Sequence, residues 1–337
     1  MIDNNLGGKF NQYPKVSIII PNYNYARFLD ERFRSILNQS YKDYEIIFLD
    51  DASTDDSVAQ VEGCFGEYIQ QVEVNTTNSG NPFVQWNRGV RRAKGKFVWI
   101  AEADDTCTPD FLERMVHAMD NNPSIGLAYC NTTPIDAVGA VIDDGFFHRY
   151  VSDLDANRWL HDFSGHGLSE VKNFLARKNT ITNVSGVLFR RDVFIRAGFA
   201  PENMRMCGDW LAYCRVLHES DVAYIAAPMN FHRQHPTKHT QNSVLNLTYF
   251  REYLQVQQFV AKAFNQNVCE KKAAFHRFLG EWDRLTISNY GRIGLSRTVD
   301  LARMAVKAYP GMGCQIEIAA HLVFNSSKSL AGKWLRN

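Results

Sequence analysis

The sequence predicts an α/β fold class with a mostly parallel sheet flanked by helices and a helical extension after it. Two patterns support this prediction. Over the first 130 residues, short apolar runs alternate with amphipathic stretches. Strands and helices that alternate at this spacing form parallel sheets with helices on both faces. From residue 244 onward, the pattern is helical throughout.

The first strand is indicated by residues 16–20, an apolar and mainly β-branched run that ends at Pro21. A helix follows at 27–38, because its apolar side chains share one face. Thr108 and Pro109 are typical of a helix start, which predicts a helix through about residue 119. The remaining strands of this half are predicted at 44–49, 69–74, 97–101 and 125–130, and its remaining helices at 55–65 and 83–94.

The second half is less regular at first. Residues 131–167 are interpreted as an excursion over the sheet edge. After it, strands are predicted at 185–190 and 222–227, and helices at 170–178, 191–196 and 210–219. Residues 228–242 form a polar, basic loop in this interpretation, and further helices are expected at 245–264, 271–290, 297–308 and 316–324. We also expect a flexible N-terminus over residues 1–13.

Composition excludes several classes of protein. The 337 residues include 37 Lys and Arg against 36 Asp and Glu, a net charge of +1, so no nucleic-acid partner is expected. Seven scattered cysteines without a Cys-x-x-Cys pair argue against a disulfide framework and favour a reducing compartment. The first 14 residues lack the apolar core of a signal peptide, and no apolar run reaches membrane-spanning length. A cytoplasmic location is therefore expected.

Polar and acidic residues gather directly after the predicted strands. Ligands bind at the carboxyl ends of the strands in an open parallel sheet, so these segments are expected to meet in one crevice. The residues are Asn22 and Asn24, then Asp50 and Asp51, then Asn78 and Gly80, and finally Glu102, Asp104 and Asp105.

The acidic segment Glu102-Ala103-Asp104-Asp105 predicts a divalent metal site. Carboxylates this close repel one another, and a cation would relieve the repulsion. Mg²⁺ and Mn²⁺ prefer a few carboxylates completed by water and phosphate oxygens, so a metal-bound diphosphate is the expected ligand. The alternative is an acidic turn that caps the next helix.

The segment that contains Asp50 and Asp51 has two interpretations. One carboxylate can accept a hydrogen bond from a nucleotide base, with uracil N3–H as the example. In the other interpretation, the segment only caps the next helix, through Ser53 or Asp56.

These residues together resemble the opening of family 2 glycosyltransferases. The resemblance rests on Val-Ser-Ile-Ile-Ile-Pro-Asn-Tyr-Asn at 16–24, Ser-Ile-Leu-Asn-Gln-Ser-Tyr at 35–41, Glu-Ile-Ile-Phe-Leu-Asp-Asp-Ala-Ser-Thr-Asp at 45–55, and Glu-Ala-Asp-Asp at 102–105 with Pro-Asp at 109–110. It covers about residues 14–240. It implies the GT-A fold, which is Rossmann-like, a requirement for Mg²⁺ or Mn²⁺, and inversion at the anomeric carbon.

The resemblance also implies roles for particular residues. Pro21 and Tyr23 correspond to nucleotide-contacting positions, Asp51 would hold the base, Asp104 would be the main metal ligand, and Glu102 would lie near the ribose. Asn24, Asp50, Asn78, Gly80 and Ala103 complete the expected donor site, and Asp105 would assist the metal. By the same resemblance, 14–243 is the catalytic domain, with a nucleotide-sugar half at 14–130 and an acceptor half at 131–243, and 244–337 is the helical region.

Two positions depart from the family pattern. The family often has Asp where this chain has Glu102, which puts direct metal ligation there in doubt. Trp86 stands where the family frequently has Arg, in Gln-Trp-Asn-Arg-Gly at 85–89. Trp86 is equally well interpreted as a core residue of its helix.

Inversion needs a general base that deprotonates the acceptor hydroxyl. Cys-Gly-Asp-Trp-Leu at 207–211 opens a predicted helix and resembles the family segment with the catalytic Asp, so Asp209 is the candidate. Trp210 would form a sugar-stacking wall. The alternative for Asp209 is a helix cap. Ser185 and Gly186 resemble the family segment that leads to the acceptor pocket.

Residues 231–239 add three histidines and two basic residues. Arg233 and Lys238 are expected to neutralise the departing diphosphate, and His235 to reach the metal or a phosphate. A zinc site lacks the required ligand spacing, and a merely solvated loop remains the alternative.

The predicted function is metal-dependent transfer of a sugar, with inversion, from a nucleotide-diphosphate sugar. A UDP-sugar is favoured, and the acceptor would be a saccharide or lipid-linked saccharide of a surface polysaccharide. Peripheral contact with the inner face of the membrane is expected through the basic-aromatic patch of Lys328, Lys333, Trp334, Leu335 and Arg336. The alternatives are a sugar nucleotidyltransferase, which would need a Gly-rich basic loop after the first strand, and a catalytically inactive sugar-binding relative.

Overall fold

The computed structural model of the chain describes residues 13–235, 247–288, 295–310 and 317–318. Its strands are β1 Val16–Asn22, β2 Tyr44–Asp50, β3 Gln71–Val74, β4 Phe97–Ile100, β5 Thr106–Cys107, β6 Ile125–Ile135, β7 Phe163–Gly165, β8 Val187–Arg190 and β9 Asp221–Arg233. Its helices are α1 Ala26–Leu37, α2 Ser57–Phe65, α3 Pro82–Arg92, α4 Phe111–Asp120, α5 Phe146–Val151, α6 Gly167–Glu170, α7 Arg191–Arg196, α8 Gly208–His218, α9 Thr248–Ala263, α10 Val268–Ser288 and α11 Leu295–Ala308.

The strands form one mixed sheet in the order β3-β2-β1-β4-β8-β6-β9-β5, and β7 pairs with β9. Pairing is parallel from β3 to β4 and between β6 and β9, whereas β8 runs antiparallel to both of its neighbours. The predicted fold class, a GT-A-like α/β sheet flanked by helices with a helical extension, is confirmed.

The core lies on both faces of the sheet because alternate residues of each buried strand point to opposite sides. On β1, Ile19 packs with α3 and α8, whereas Ile18 and Ile20 pack with α1, α2 and α4. All three side chains are fully buried. This explains why the parallel strands are continuous apolar runs rather than alternating ones.

The register brings the strand ends to one edge, as predicted. Asn22 of β1 pairs with Asp50 of β2, and Asp50 in turn pairs with Val74 of β3. On the other side, Ile19 pairs with Ile100, two residues before Glu102. The polar segments that follow these strands are therefore neighbours in space.

Strand β9 corrects the prediction for the region after residue 227. It continues through Arg233, so the expected basic loop at 228–242 begins inside the sheet. Pro228 sits opposite Asn131, where the β6–β9 register shifts, and this irregularity accommodates a residue that cannot donate a backbone hydrogen bond. Lys238 lies outside the described residues.

Three smaller predictions were also wrong. The helix expected at 170–178 is instead α6 followed by a π-helical turn at Val171–Leu175. Ser185 belongs to a 3₁₀ turn before β8 rather than to the strand. Neither Ser53 nor Asp56 caps α2, because the Asp55 carboxylate accepts the hydrogen bond from Ser57 N at 3.0 Å.

The helical region packs on the sheet domain through α9. The Tyr253 ring meets Trp210 of α8 edge-on with centroids 4.8 Å apart, and the Tyr253 hydroxyl donates to Arg177 O at 2.9 Å. Within the described residues, no helix is long and apolar enough to cross a membrane. The expected membrane patch at 328–336, all but the last residue of the predicted flexible N-terminus at 1–13, and most of the helix predicted at 316–324 lie outside the described residues.

Glu252 on α9 holds the loop before α8. Its carboxylate accepts hydrogen bonds from the backbone nitrogens of Arg205 at 2.8 Å, Met206 at 2.7 Å and Cys207 at 2.8 Å. Glu252 is only 4% exposed, and α8 has no side-chain cap of its own. A distant carboxylate therefore takes the role of the missing cap and satisfies backbone donors at a helix start.

We expect Glu252→Ala to lower the free energy of unfolding by about 3 kcal/mol, because three backbone donors lose their acceptor. Glu252→Gln keeps one acceptor oxygen and should lose about half of that. Urea denaturation followed by circular dichroism measures both, with the exposed Glu62→Ala on α2 as the control. A Glu252→Ala protein as stable as the control would contradict this role.

Candidate active site

A cavity of about 530 Å³ opens at the carboxyl edge of the parallel strands, and we call it the donor cavity. Six residues predicted for the donor site line it: Pro21, Tyr23, Asp51, Asn78, Gly80 and Glu102. Asn22, which was expected to meet the other strand-end residues, lines it as well, whereas sequence reasoning missed Tyr25, Asn81, Pro82, Gln85, Arg205 and Met206. The expected convergence of separate strand ends is thus present as a cavity.

Asp51 is the most firmly held carboxylate in this cavity. It accepts hydrogen bonds from Asn75 Nδ2 at 2.6 Å, Gln85 Nε2 at 2.7 Å and Ser79 Oγ at 2.7 Å. The backbone nitrogen of Ser79 lies 3.0 Å from the same carboxylate. These contacts fix Asp51 in one orientation at the cavity wall, where a base edge could meet it.

Asp50, Asn22 and Asn24 brace the loops beneath the cavity. The fully buried Asp50 carboxylate accepts from Asn22 Nδ2 at 2.7 Å and from Ser53 N at 2.8 Å. The Asn24 amide oxygen accepts from Thr54 N at 2.7 Å. Asp50 and Asn24, both predicted for the donor site, are therefore engaged in joining the β1–α1 loop to the β2–α2 loop.

Asn78 and Gly80 form the turn on the far wall of the cavity. Asn78 Nδ2 donates to Asp51 O at 3.0 Å, which connects this turn to β2. Gly80 has φ of +61°, a conformation that strongly favours glycine. A side chain at Gly80 would come within 3.3 Å of the Arg205 guanidinium, so glycine also leaves room for this cation.

The Glu102 carboxylate forms a hydrogen bond with Trp86, the residue at the position where an arginine was expected. Trp86 is buried in the core, and its indole Nε1 donates to Glu102 Oε1 at 2.8 Å. Burial raises the pKa of Glu102 to about 8, and the charge of Asp104 adds to this rise, whereas the indole N–H lowers it. Trp86 is therefore a core residue of its helix, as one interpretation predicted, and its indole N–H also reaches the site.

Asp104 and His235 form the pair best suited to a metal. Asp104 Oδ2 lies 3.0 Å from His235 Nε2, and the edge of the Tyr25 ring packs against the His235 ring. Within the described residues, no group of three or more metal-binding side chains occurs. Two protein ligands nevertheless fit Mg²⁺ or Mn²⁺, which take their remaining ligands from water and phosphate.

Asp105, Ser185 and Gly186 belong to the scaffold under this pair. Asp105 accepts from Asn183 Nδ2 at 2.9 Å, Ser185 Oγ at 2.7 Å and Arg233 N at 2.9 Å. Ser185 is fully buried and also accepts from Glu102 N at 3.1 Å. Gly186 is buried against Thr132 and Asn230. The predicted roles of Asp105 in metal binding and of Ser185 and Gly186 in acceptor binding would require these contacts to break.

Arg233 is likewise inside the structure rather than on a basic loop. It is 1% exposed, and its guanidinium donates to Asp104 O at 2.7 Å, to Asp136 O at 3.0 Å and to Glu31 Oε2 at 2.5 Å. All three guanidinium nitrogens are therefore engaged. Ala103, also fully buried, packs in the core beneath the acidic segment. The expected contact of Arg233 with a departing diphosphate is wrong for this conformation.

Asp209 lies in the first turn of α8, three residues after Met206 of the cavity wall. Its pKa is raised to about 7, mainly by burial and in smaller part by the Glu252 charge, against backbone donors and Asn179, which lower it. Asn179 Nδ2 lies 3.4 Å from Asp209 Oδ2. A carboxylate that titrates near neutral pH has the property expected of a general base.

The neighbours of Asp209 on α8 pack against the core. Any side chain at Gly208 would collide with Phe83, since the added Cβ would lie 2.3 Å from that ring, so glycine allows α8 to approach α3. Trp210 is 2% exposed, and its indole donates to Leu175 O at 2.9 Å. Because Trp210 points into the core, it cannot form the predicted sugar-stacking wall.

Solved structures with the same fold support this architecture. TarS (residues 1–349) of Staphylococcus aureus, in complex with UDP, superposes with a TM-score of 0.65 at 15% identity, covering 96% of this chain and 92% of that one. A Pyrobaculum calidifontis mannosyltransferase in complex with GDP-Man and Mn²⁺ gives a TM-score of 0.52 at 18% identity, covering 94% and 87%.

Sequence comparison gives the family. An uncharacterized glycosyltransferase of Nostoc sp. is 34% identical over 118 residues, which are 34% of this chain and 36% of that protein. The chain thus matches about a third of the length of this curated relative. The model of glycosyl transferase family 2 matches residues 17–196, more than half of the chain. The chain, with its cavity at the strand ends, belongs to glycosyl transferase family 2.

Proposed function

We propose that this protein transfers a sugar from a nucleotide-diphosphate sugar to a saccharide, with inversion at the anomeric carbon. The observation that carries the proposal is the donor cavity, which has Asp51 and Glu102 on its sheet side and the loop to Asp209 on the other. The charges of both Glu102 and Asp209 act on the buried phenol of Tyr213 and raise its pKa. The two carboxylates therefore belong to the same electrostatic environment.

A UDP-sugar is the favoured donor. Asp51 is held rigidly at the cavity wall and is the candidate for the base, and Glu102 is the candidate for the ribose hydroxyls. Arg205 is the only Lys or Arg among the described residues that line the cavity, so it is the candidate counter-charge for the diphosphate. The TarS complex with UDP supports this choice of nucleotide.

Asp104 and His235 are the residues that would hold Mg²⁺ or Mn²⁺. The ion would neutralise the diphosphate as it leaves. The Pyrobaculum mannosyltransferase, which contains GDP-Man and Mn²⁺, supports this proposal. Asp105 and Arg233 hold this acidic segment in place from below.

Asp209 is the proposed general base. The acceptor hydroxyl oxygen forms a bond to the anomeric carbon while Asp209 takes the hydroxyl proton. The bond between that carbon and the diphosphate oxygen breaks, and the nucleoside diphosphate leaves with the electron pair. A buried carboxylate is well suited to this role because burial strengthens its attraction for the proton. A lipid-linked acceptor and the membrane location stay predictions.

Asp209→Asn should reduce kcat for release of UDP from a UDP-sugar by about 10³-fold, within the usual range for a lost general base. Nucleotide affinity, measured by calorimetry, should be unchanged. Asp192→Asn is the matched control, since Asp192 is also in the first turn of a helix but is exposed and paired with Arg196. Full turnover by folded Asp209→Asn would exclude this base.

The pH profile should follow the Asp209 carboxylate. Because the base must be ionised, kcat/KM should be low in acid, rise through the pKa of about 7 and level off above it. Asn179→Ala removes a hydrogen bond that lowers this pKa, so the midpoint should move to higher pH. In Glu102→Gln the rise should stay near the same pH. A flat profile, or an unmoved midpoint in Asn179→Ala, would argue against Asp209.

EDTA should abolish turnover, and Mn²⁺ or Mg²⁺ should restore it. In Asp104→Asn, the affinity for Mn²⁺ in the presence of UDP should fall by at least about tenfold, as expected for loss of a ligand or its support. Titration of free Mn²⁺ by electron paramagnetic resonance measures this without turnover. His235→Ala should also weaken binding, whereas Asp110→Asn should not. Unchanged activity in EDTA would remove the metal from the proposal.

A further inference from the structure

A second cavity, of about 440 Å³, is lined by residues of β6 and of the chain that follows it. We call it the lateral cavity. Its volume falls within the range of about 300–1,000 Å³ that is usual for small-molecule sites. Its wall includes Phe146 and Tyr150 from α5 together with Asn179, Thr182, His232 and Gln234.

Asn179 connects the lateral cavity to the proposed base. It lines the cavity, and its Nδ2 lies 3.4 Å from Asp209 Oδ2. Met206, three residues before Asp209, lines the donor cavity. Asp209 lines neither cavity itself, but it contacts a residue of the lateral cavity and follows closely on a residue of the donor cavity.

The wall chemistry of the lateral cavity fits a sugar. Phe146 and Tyr150 are partly exposed, with nearly parallel rings 5.6 Å apart, and they form an aromatic surface on which the C–H face of a sugar can stack. Other side chains of the wall are the amides of Asn179 and Gln234 and the hydroxyls of Thr132 and Thr182, which can hydrogen-bond to sugar hydroxyls. The Thr182 Oγ1 atom is buried and has no hydrogen-bond partner among the described residues, so a ligand hydroxyl would satisfy it.

The charge of the lateral cavity restricts the ligand further. None of the described residues that line it is Lys or Arg, and its one carboxylate, Asp143, is paired with Arg149. The cations next to the wall, Lys178 beside the Tyr150 ring and Arg149 beside Asp143, are already paired with carboxylates, so a phosphate or uronate group placed here would have to compete for them. An uncharged sugar unit requires no compensating charge.

We infer that the lateral cavity binds the acceptor through an uncharged sugar unit, which stacks on Phe146 and hydrogen-bonds to Thr182. This inference rests on the proposed function, since it assigns the acceptor side of the same reaction. The position of Phe146 is fixed by its neighbours on α5, where Phe147 and Val151 are buried in the core. Substitution of Phe146 should therefore change the cavity wall and leave the fold intact.

The test uses the full chain with UDP and a panel of neutral oligosaccharides, each matched to an oligosaccharide that contains uronic acid. Affinities are measured by saturation-transfer difference NMR. We expect neutral oligosaccharides to bind, and Phe146→Ala and Thr182→Val each to weaken that binding by about tenfold, as loss of one good contact predicts. The affinity for UDP and the metal-dependent hydrolysis of the donor should change less than twofold.

Two matched controls separate binding from stability. Thr180 Oγ1 is also buried without a partner but does not line the cavity, so Thr180→Val should leave oligosaccharide binding unchanged. Phe259→Ala removes a partly buried ring from α9, away from the cavity, and should behave in the same way.

Three outcomes would overturn the inference. They are the absence of binding by every neutral oligosaccharide, a preference for the uronic acid series, and equal binding by Phe146→Ala, Thr182→Val and the wild type. Failure of UDP binding and donor hydrolysis in the wild type would instead contradict the proposed function. The two failures are therefore distinguishable.

Discussion

The buried contact between Asp105 and Arg233 is the constraint on which the rest of the site depends. The Asp105 carboxylate accepts from Arg233 N, Asn183 and Ser185, which binds β9 and the turn before β8 to the acidic segment. The Arg233 guanidinium donates to Asp104 O and reaches Glu31 of α1. Removing the Asp105 carboxylate would leave three buried donors without their acceptor, and each such donor costs about 1–3 kcal/mol. Asp104 therefore has a fixed backbone, and His235 follows two residues after the same arginine.

Neighbouring carboxylates of the site differ in what they contact. Asp50, Asp51 and Asp105 each accept several hydrogen bonds inside the protein. Asp51 and Glu102 also line the donor cavity, whereas Asp104 pairs with His235. The Trp86 indole is a neutral donor to Glu102. A neutral donor stabilises the ionised form less than a cation does, which is consistent with the raised pKa of Glu102.

Local patterns in the sequence predicted the sheet and the meeting of its strand ends, because β-branched runs and parallel register are decided within a few residues. They could not say which of two adjacent carboxylates faces the cavity. That choice depends on contacts between distant residues, such as Arg233 with Glu31, 202 positions apart. The same holds for Trp210, whose direction is set by Tyr253 of a later helix, and for Pro228, which a bulge in β6–β9 tolerates. No sequence pattern predicted that Arg205 lines the cavity, because its loop is positioned by Glu252 of α9, which is distant in sequence.

The family match ends at residue 196, whereas Arg205, Asp209 and Glu252 all lie beyond it. The donor side is built from strand ends that the family pattern covers. The wall that carries Arg205 and Met206 depends on a carboxylate of the helical region. That region therefore supports the cavity wall, because its Glu252 holds the backbone of Arg205 and Met206 and its charge contributes to the raised pKa of Asp209. Any rearrangement of α9 would act on the donor cavity and on the proposed base together.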